Sequence, residues 1–170
     1  MHEDTFASSI IENRVKYLGS IALGISDALV ELTGIYAGSL GVFASTLYAG
    51  LIGLLAGISA SISMTVASYI QAKSSSVEKP VIAALFTGMA YLIVTILLSM
   101  PYFLTQTLLV AFTVMIFTAI AISIYMATYT AIMSGKSFKR EIIETTGLLL
   151  GVSFLLYLLG RLVGLYLAIY

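Results

Sequence analysis

Two carboxylates stand one helical turn apart in an apolar part of the sequence. Asp27 and Glu31 lie within residues 24–38, where most neighbours are apolar residues or glycine. At a spacing of four residues the two side chains share one face of a helix. An acidic side chain near the centre of a bilayer costs about 2.5–3.5 kcal/mol on insertion scales. A wet cavity, a bound cation or a proton must compensate that cost, so the pair predicts an ion or proton site.

The composition is that of a membrane protein. Of the 170 residues, 60% are hydrophobic and 9% are charged, whereas soluble domains carry about 25% charged residues. The formal net charge is zero, so no basic surface indicates a nucleic-acid partner. The chain contains no cysteine, which excludes disulfides and thiolate chemistry. With His2 as the single histidine and no nucleotide motif, we expect neither an enzyme nor a bound cofactor.

Five apolar segments are each long enough to cross a bilayer, which takes about 20 residues. They predict an all-α fold in a single transmembrane domain over residues 1–170. The predicted spans are residues 15–37, 46–72, 80–100, 105–133 and 142–168. The N-terminal residues lack the basic start and the cleavage site of a signal peptide, so we expect the first span to be retained.

The segments ISMTVASY and ISIYMATY, at residues 62–69 and 122–129, are similar to one another. This similarity suggests two helical hairpins that repeat, followed by a fifth helix. Internal repeats of this kind are common in transporters.

The basic residues predict one orientation in the membrane. All Lys and Arg residues except Arg161 fall in the N-terminal segment, the second loop and the fourth loop. By the positive-inside rule these segments, including the N-terminus, are cytoplasmic. An aromatic belt at the opposite interface is predicted from Tyr36, Tyr48, Tyr102, Tyr166 and Tyr170. We expect an integral membrane protein of a prokaryotic plasma membrane, with an organelle membrane as the alternative.

The carboxylates of the first span lie on a stripe of otherwise small residues. The stripe has a 4-3-4-3-4 spacing and consists of Ser20, Gly24, Asp27, Glu31, Gly34 and Gly38. Small residues allow a neighbouring helix to approach closely. If that neighbour is the first helix of a second subunit, the carboxylates of both subunits meet around a two-fold axis. The stripe is therefore compatible with a homodimer formed through the first helix.

The second span places a thioether and hydroxyls on one face. Met64 lies nine residues before Lys73, or about 13 Å along a helix, which is close to the depth expected for Asp27. Ser61 and Ser68, together with Ser20 and Gly24, are candidates to line an ion path. A thioether beside carboxylates favours a softer divalent metal over Ca²⁺ or Mg²⁺. Judged by spacing alone, a Met in such a helix is more often core filler.

Acidic residues also open the fifth span on the predicted cytoplasmic side. Glu141 and Glu144 are either acids that stabilise a helix N-terminus or a cytoplasmic access point that attracts cations. The same span contains two GxxxG motifs, at residues 147–151 and 160–164. These motifs predict close helix contacts, within one subunit or between two.

Three features carry a resemblance to a known family: an Asp in a glycine-punctuated first helix, ISMTVASYIQAKS at residues 62–74 and YLLGRLVG at residues 157–164. The resemblance is to the vacuolar iron transporter family. It implies a homodimer that moves Fe²⁺, and often Mn²⁺, out of the cytosol in exchange for protons along the first helix. It places the first-helix Asp of the family on Asp27 and the second-helix Met on Met64.

Three positions depart from the pattern of that family. Its second-helix Glu, two turns before the Met, is Ala56 here, and we hypothesise that Glu31 restores the missing charge. The Gly that follows the Met is Thr65 in this chain. The link from Lys73 to Lys79 is too short for the Glu-rich cytoplasmic metal-binding domain that many members carry.

We therefore expect a transporter of divalent transition metal, Fe²⁺ and/or Mn²⁺, that works by proton antiport out of the cytoplasm. The metal is the substrate, and the lipid bilayer and protons are the other partners. Two alternatives stay open. A proton-coupled carrier of a small organic cation predicts an aromatic-lined cavity around Asp27. A non-transporting scaffold or subunit predicts a partner chain whose Lys or Arg pairs with the acids.

Overall fold

The computed structural model describes residues 2–42, 45–134 and 137–167, which form five α-helices. These are α1 (His2–Val42), α2 (Thr46–Ser74), α3 (Pro80–Leu104), α4 (Leu108–Ser134) and α5 (Phe138–Leu167). Each contains a segment that is long and apolar enough to cross a membrane: Tyr17–Val42, Thr46–Ser74, Pro80–Leu104, Leu108–Ile132 and Phe138–Tyr166. The predicted all-α fold with five candidate membrane spans is confirmed.

Helix α1 occupies the centre of the bundle. It contacts all four other helices, and its contacts with α5 and α3 are the most extensive. Ala28, Leu32 and Thr33 are completely buried within it. Its span also has the lowest mean hydropathy of the five, 1.4. A central helix faces other helices rather than lipid on most sides, so α1 can carry polar residues that an outer helix could not.

Helix α1 is longer at its C-terminal end than the sequence predicts. A loop is predicted over residues 38–45, but α1 continues to Val42. The reason is close packing against α5. A Cβ atom added to Gly41 would clash with the backbone of Gly160, and one added to Gly164 would clash with the carbonyl oxygen of Gly41. Glycines that read as loop residues therefore serve as a helix contact surface.

Helix α3 also continues through a predicted break, at Pro101. Proline inside a helix removes a backbone donor and crowds the preceding turn. The next residue, Tyr102, is buried, and its ring stacks on that of Tyr36 with a centroid distance of 4.2 Å. The Tyr36 hydroxyl donates a hydrogen bond to Ser99 Oγ over 2.7 Å. These tertiary contacts keep the last turn of α3 helical as far as Leu104.

The same contacts correct the predicted aromatic belt. Tyr36 and Tyr102 lie in the interior and do not form part of a belt. Tyr48 and Tyr166 are exposed, as residues of a belt would be. Tyr170 lies outside the described residues. Stacking of two rings and a buried hydrogen bond decided the position of the first two tyrosines, and neither interaction can be read from hydropathy.

The two predicted hairpins describe only part of the helix packing. Helices α1 and α2 contact one another, as do α3 and α4. However, α2 packs more extensively on α3, and α5 packs more extensively on α1. Which helices pack together in this bundle therefore depends on the fit of their surfaces as well as on their order in the chain.

Candidate functional site

The two acids of α1 lie near the middle of its membrane-spanning segment. Asp27 is ten residues beyond Tyr17, where that segment begins, or about 15 Å along the helix. Half of a hydrocarbon core about 30 Å thick is the same distance. Both carboxylates are half-buried, although Ala28 between them is completely buried. The pair thus lies at the boundary between the packed interior and a less covered face of α1.

Glu31 is held by a tyrosine of α3. The hydroxyl of Tyr91 donates a hydrogen bond to Glu31 Oε2 over 2.6 Å. Tyr91 is 0% exposed, so its ring is fixed by packing and its hydroxyl has a defined position. A hydroxyl–carboxylate contact of this length is in the range of strong, charge-assisted hydrogen bonds. One of the two predicted acids therefore has a dedicated donor.

Asp27 differs from Glu31 in its partners. Its carboxylate accepts no hydrogen bond from any residue that the structure describes. Its electrostatic interactions are with Glu31 and with the hydroxyl of Tyr91. An acid next to a second acid, in a membrane span and without a donor, requires a cation or a proton for compensation. Within the described residues, Asp27 is thus the member of the pair that has no hydrogen-bond donor.

Tyr91 belongs to a line of buried hydroxyls along α3 that the sequence analysis missed. Hydroxyl side chains recur every four residues, and at most 1% of each is exposed: Thr87, Tyr91, Thr95 and Ser99. Besides the Tyr91–Glu31 bond, Thr87 shares a hydrogen bond of 2.8 Å with Ser68 of α2, and Ser99 accepts one from Tyr36. The four-residue spacing in an apolar span is a signal that would have found this line.

The small residues of α1 do permit close approach, but of helices within the same chain. A Cβ atom on Gly24 would clash with the carbonyl oxygen of Thr87 in α3. One on Gly34 would clash with the Leu156 side chain of α5, and one on Gly38 would lie 3.3 Å from the Leu156 carbonyl oxygen. Helices α3 and α5 therefore occupy the small-residue stripe. A homodimer through the first helix stays a prediction.

Two cavities open on either side of the N-terminal half of the α1 span. The first has a volume of about 350 Å³ and is lined by residues between α1 and α3 in the chain, among them Ser20, Ser68 and Gln71. The other, of about 330 Å³, lies between α1, α4 and α5. Gly19 and Leu23 line both cavities, and Leu23 is 40% exposed. Asp27 lies one turn beyond Leu23 on this open face.

The predicted path residues on α2 have different positions. Ser68 lines the first cavity, and its place in an ion path stays a prediction. Ser61 is buried against Gly88 of α3, and its hydroxyl donates to the Ile58 carbonyl oxygen over 2.7 Å. It belongs to a helix interface. Met64 is half-buried and packs against the apolar core, and its role as a ligand stays a prediction.

The two acids of α5 are separated by the structure. Glu141 lines the cavity between α1, α4 and α5. Glu144 forms a 2.7 Å ion pair with Arg140 on the helix surface, where the side chains are 55% and 80% exposed respectively. Exposed pairs one turn apart contribute little to stability. Of the two predicted access residues, only Glu141 borders one of the two cavities.

The site is acidic but sparse in ligands. Among the described residues, no three His, Cys, Asp or Glu side chains come together. A divalent ion at Asp27 and Glu31 would therefore complete its coordination with hydroxyls, water or groups beyond these residues. Carboxylate and water oxygens are suitable ligands for Mn²⁺.

Comparison with known proteins does not assign a function to this site. A scan against protein-family models gives no match, and neither does a search of the curated proteins.

Replacement of Tyr91 by phenylalanine tests the bond that holds Glu31. We expect Tyr91→Phe to lower the free energy of unfolding by about 1.5–3 kcal/mol, because hydrogen bonds to charged groups are worth this much. The measurement is chemical unfolding of the detergent-solubilised protein. A double-mutant cycle with Glu31→Gln isolates the pairwise contribution. Tyr125→Phe, on the exposed face of α4, is the control and should change little. A coupling energy near zero would contradict the assignment of this bond.

Proposed function

We propose that this protein transports a divalent transition metal, Fe²⁺ and/or Mn²⁺, out of the cytoplasm in exchange for protons. One observation carries the proposal: the half-buried Asp27 lies midway along a membrane span with no described hydrogen-bond donor, beside Glu31, which Tyr91 holds. Acidic residues inside membrane spans are expensive, and they are by default candidates for ion or proton pathways. The resemblance to vacuolar iron transporters supports the same assignment.

Competition for one charge site explains how metal and protons would be exchanged. Metal ions bind deprotonated carboxylates, so binding of the ion and protonation exclude one another. Tyr91 fixes the orientation of Glu31, which gives the ion one preset oxygen ligand. Asp27 has no such donor and can alternate between the ion and a proton. Protons that arrive from the outer side would displace the ion, and the ion would displace protons on the cytoplasmic side.

The oxygen donors at the site favour a metal over an organic cation. An organic cation would need an aromatic-lined cavity around Asp27. The two cavities that flank Leu23 are lined mainly by small, hydroxyl and aliphatic residues, and neither contains an aromatic side chain among its described lining. Small polar linings suit a hydrated ion. Met64, if it turns toward the pair, would add a softer ligand that favours Fe²⁺ over Mg²⁺.

Orientation and assembly complete the proposal. Two cavities share Gly19 of α1. Ser75 and Val77, in the α2–α3 connection, line one of them, and Glu141, near the start of α5, lines the other. The basic residues Lys73, Lys79, Lys139 and Arg140 belong to the same end of the bundle. The positive-inside rule makes this end cytoplasmic. We propose a homodimer in a prokaryotic plasma membrane, with metal loading from this end.

Flux into proteoliposomes tests the proposal. Purified protein is reconstituted, a pH gradient is imposed, and Mn²⁺ or Fe²⁺ uptake is followed together with the internal pH. We expect metal to enter only when it is supplied outside the vesicles and protons move outward in exchange. The rate should be far above that of empty vesicles. Absence of flux for both metals, from vesicles that contain folded protein, would overturn the proposal. Proton movement driven by an organic cation instead would favour the carrier alternative.

A further inference from the structure

The cavity between α1, α4 and α5 contains polar groups that lie apart from the Asp27–Glu31 pair. They are Ser26 of α1, Met126 and Thr130 of α4, and Glu141 and Thr145 of α5. Three hydroxyls, one carboxylate and one thioether thus converge from three different helices. Residues of three helices meet at one place only through the tertiary fold, and convergent polar groups in a cavity are the usual mark of a binding site.

The size of the cavity suits a hydrated cation. Its volume is about 330 Å³. At about 30 Å³ per water molecule, an ion with six waters occupies roughly 200 Å³. The cavity can therefore take a divalent cation that retains most of its hydration shell, as Mg²⁺ does in sites with one or two carboxylates.

The lining groups are distributed along the length of the helices. Glu141 lies three residues into α5, or about 4.5 Å from its N-terminal end. Met126 lies eight residues before the end of α4, or about 12 Å deep. Ser26 is the residue directly before Asp27. The cavity thus extends from the end of the helices to the level of the acid pair.

We infer that this cavity is a second divalent-cation site, in which a hydrated ion is held by Glu141 before it moves to Asp27. The carboxylate supplies the charge, and the hydroxyls of Ser26, Thr130 and Thr145 replace water molecules. Met126 adds a soft ligand at the deep end, which favours transition metals over Mg²⁺. The inference deepens the proposed function and rests on it for the identity of the ion, because the cation held here is the one transported.

The cavity on the opposite side of α1 provides a comparison. It has nearly the same volume and is lined by Ser20, Ser68, Gln71 and Ser75, with no charged side chain in its described lining. A neutral lining of this kind holds water but offers no counter-charge to a divalent ion. The carboxylate of Glu141 therefore distinguishes the two cavities.

Direct binding of Mn²⁺ tests the inference independently of transport. Free Mn²⁺ is measured by its electron paramagnetic resonance signal during titration of the full chain in detergent. We expect wild type to bind at two classes of site. The double variant Asp27→Asn/Glu31→Gln should retain the cavity site, whereas Glu141→Gln should weaken it by about tenfold or more, as loss of a charged contact implies. Glu144→Gln, in the surface pair with Arg140, should bind as wild type does.

A second variant, at Met126, controls for general effects of removing the charge of Glu141. Met126→Leu nearly conserves volume, and we expect it to weaken Cd²⁺ binding in the double variant more than Mn²⁺ binding, because Cd²⁺ is the softer ion. In transport, Glu141→Gln should raise the half-saturating Mn²⁺ concentration by about tenfold.

Three outcomes would overturn the cavity site. The first is that Asp27→Asn/Glu31→Gln binds no Mn²⁺, and the second is that Glu141→Gln binds Mn²⁺ as Glu144→Gln does. The third is that Met126→Leu weakens Cd²⁺ and Mn²⁺ equally. Failure of the proposed function looks different: wild type would move no metal, while binding in the double variant would still report on the cavity.

Discussion

Replacement of Asp27 by asparagine is expected to abolish proton-coupled metal flux. Asparagine has nearly the same size and can accept hydrogen bonds, but it carries no charge and cannot take up or release a proton as a carboxyl group does. A unit-charge contact at about 4 Å is worth on the order of 4 kcal/mol at an effective dielectric constant of 20. We therefore expect the flux to fall by at least about a hundredfold. Mn²⁺ uptake into proteoliposomes under an imposed pH gradient is the measurement.

Two variants serve as controls for Asp27→Asn. Asp27→Glu retains the charge and should keep measurable flux. It therefore distinguishes a requirement for the charge from a requirement for the shape of the aspartate side chain. Glu78→Gln removes an acid from the connection between α2 and α3, outside the helices, and should leave the flux unchanged. Wild-type flux in Asp27→Asn, at equal protein content per vesicle, would show that the carboxylate is not part of the ion path. The Glu31–Tyr91 pair would then have a structural role only.

Replacement of Gly160 by alanine should destabilise the bundle. A Cβ atom at this position would clash with the backbone of Gly38, so the α1–α5 crossing must open before the variant can fold. Inserting a methyl group into a close-packed contact costs about 1–3 kcal/mol, although alanine favours a helix by about 1 kcal/mol over glycine. We expect a net loss in the free energy of unfolding and a lower midpoint temperature in detergent.

The same helix supplies a matched control. Gly147 is also the first glycine of a GxxxG motif, but a Cβ atom added there has no neighbouring atom within 4 Å in the described structure. Gly147→Ala should therefore be neutral or slightly stabilising, since only the helix preference remains. If both variants lose stability equally, the close contact of Gly160 with α1 is not what distinguishes the two motifs. If neither does, the α1–α5 crossing is looser than described.

The sequence by itself determined the helices and the acid pair. An apolar run of about 20 residues in lipid must satisfy its backbone hydrogen bonds internally, so five such runs give five helices whatever their neighbours are. Asp27 and Glu31 share a face because four residues make about one turn. Both conclusions depend on local periodicity and composition, which the sequence contains in full.

Only the tertiary structure decided which surfaces meet. Helix faces toward lipid and toward other helices are both apolar, so hydropathy does not distinguish them, and association depends on van der Waals fit. The partner of Glu31, Tyr91, is 60 residues away in the chain. Gly160 and Gly147 both begin a GxxxG motif. Gly160 lies where α5 crosses α1, whereas Gly147 faces outward. Glu141 and Glu144 stand one turn apart, and only the arrangement of α1, α4 and α5 places the first in a cavity.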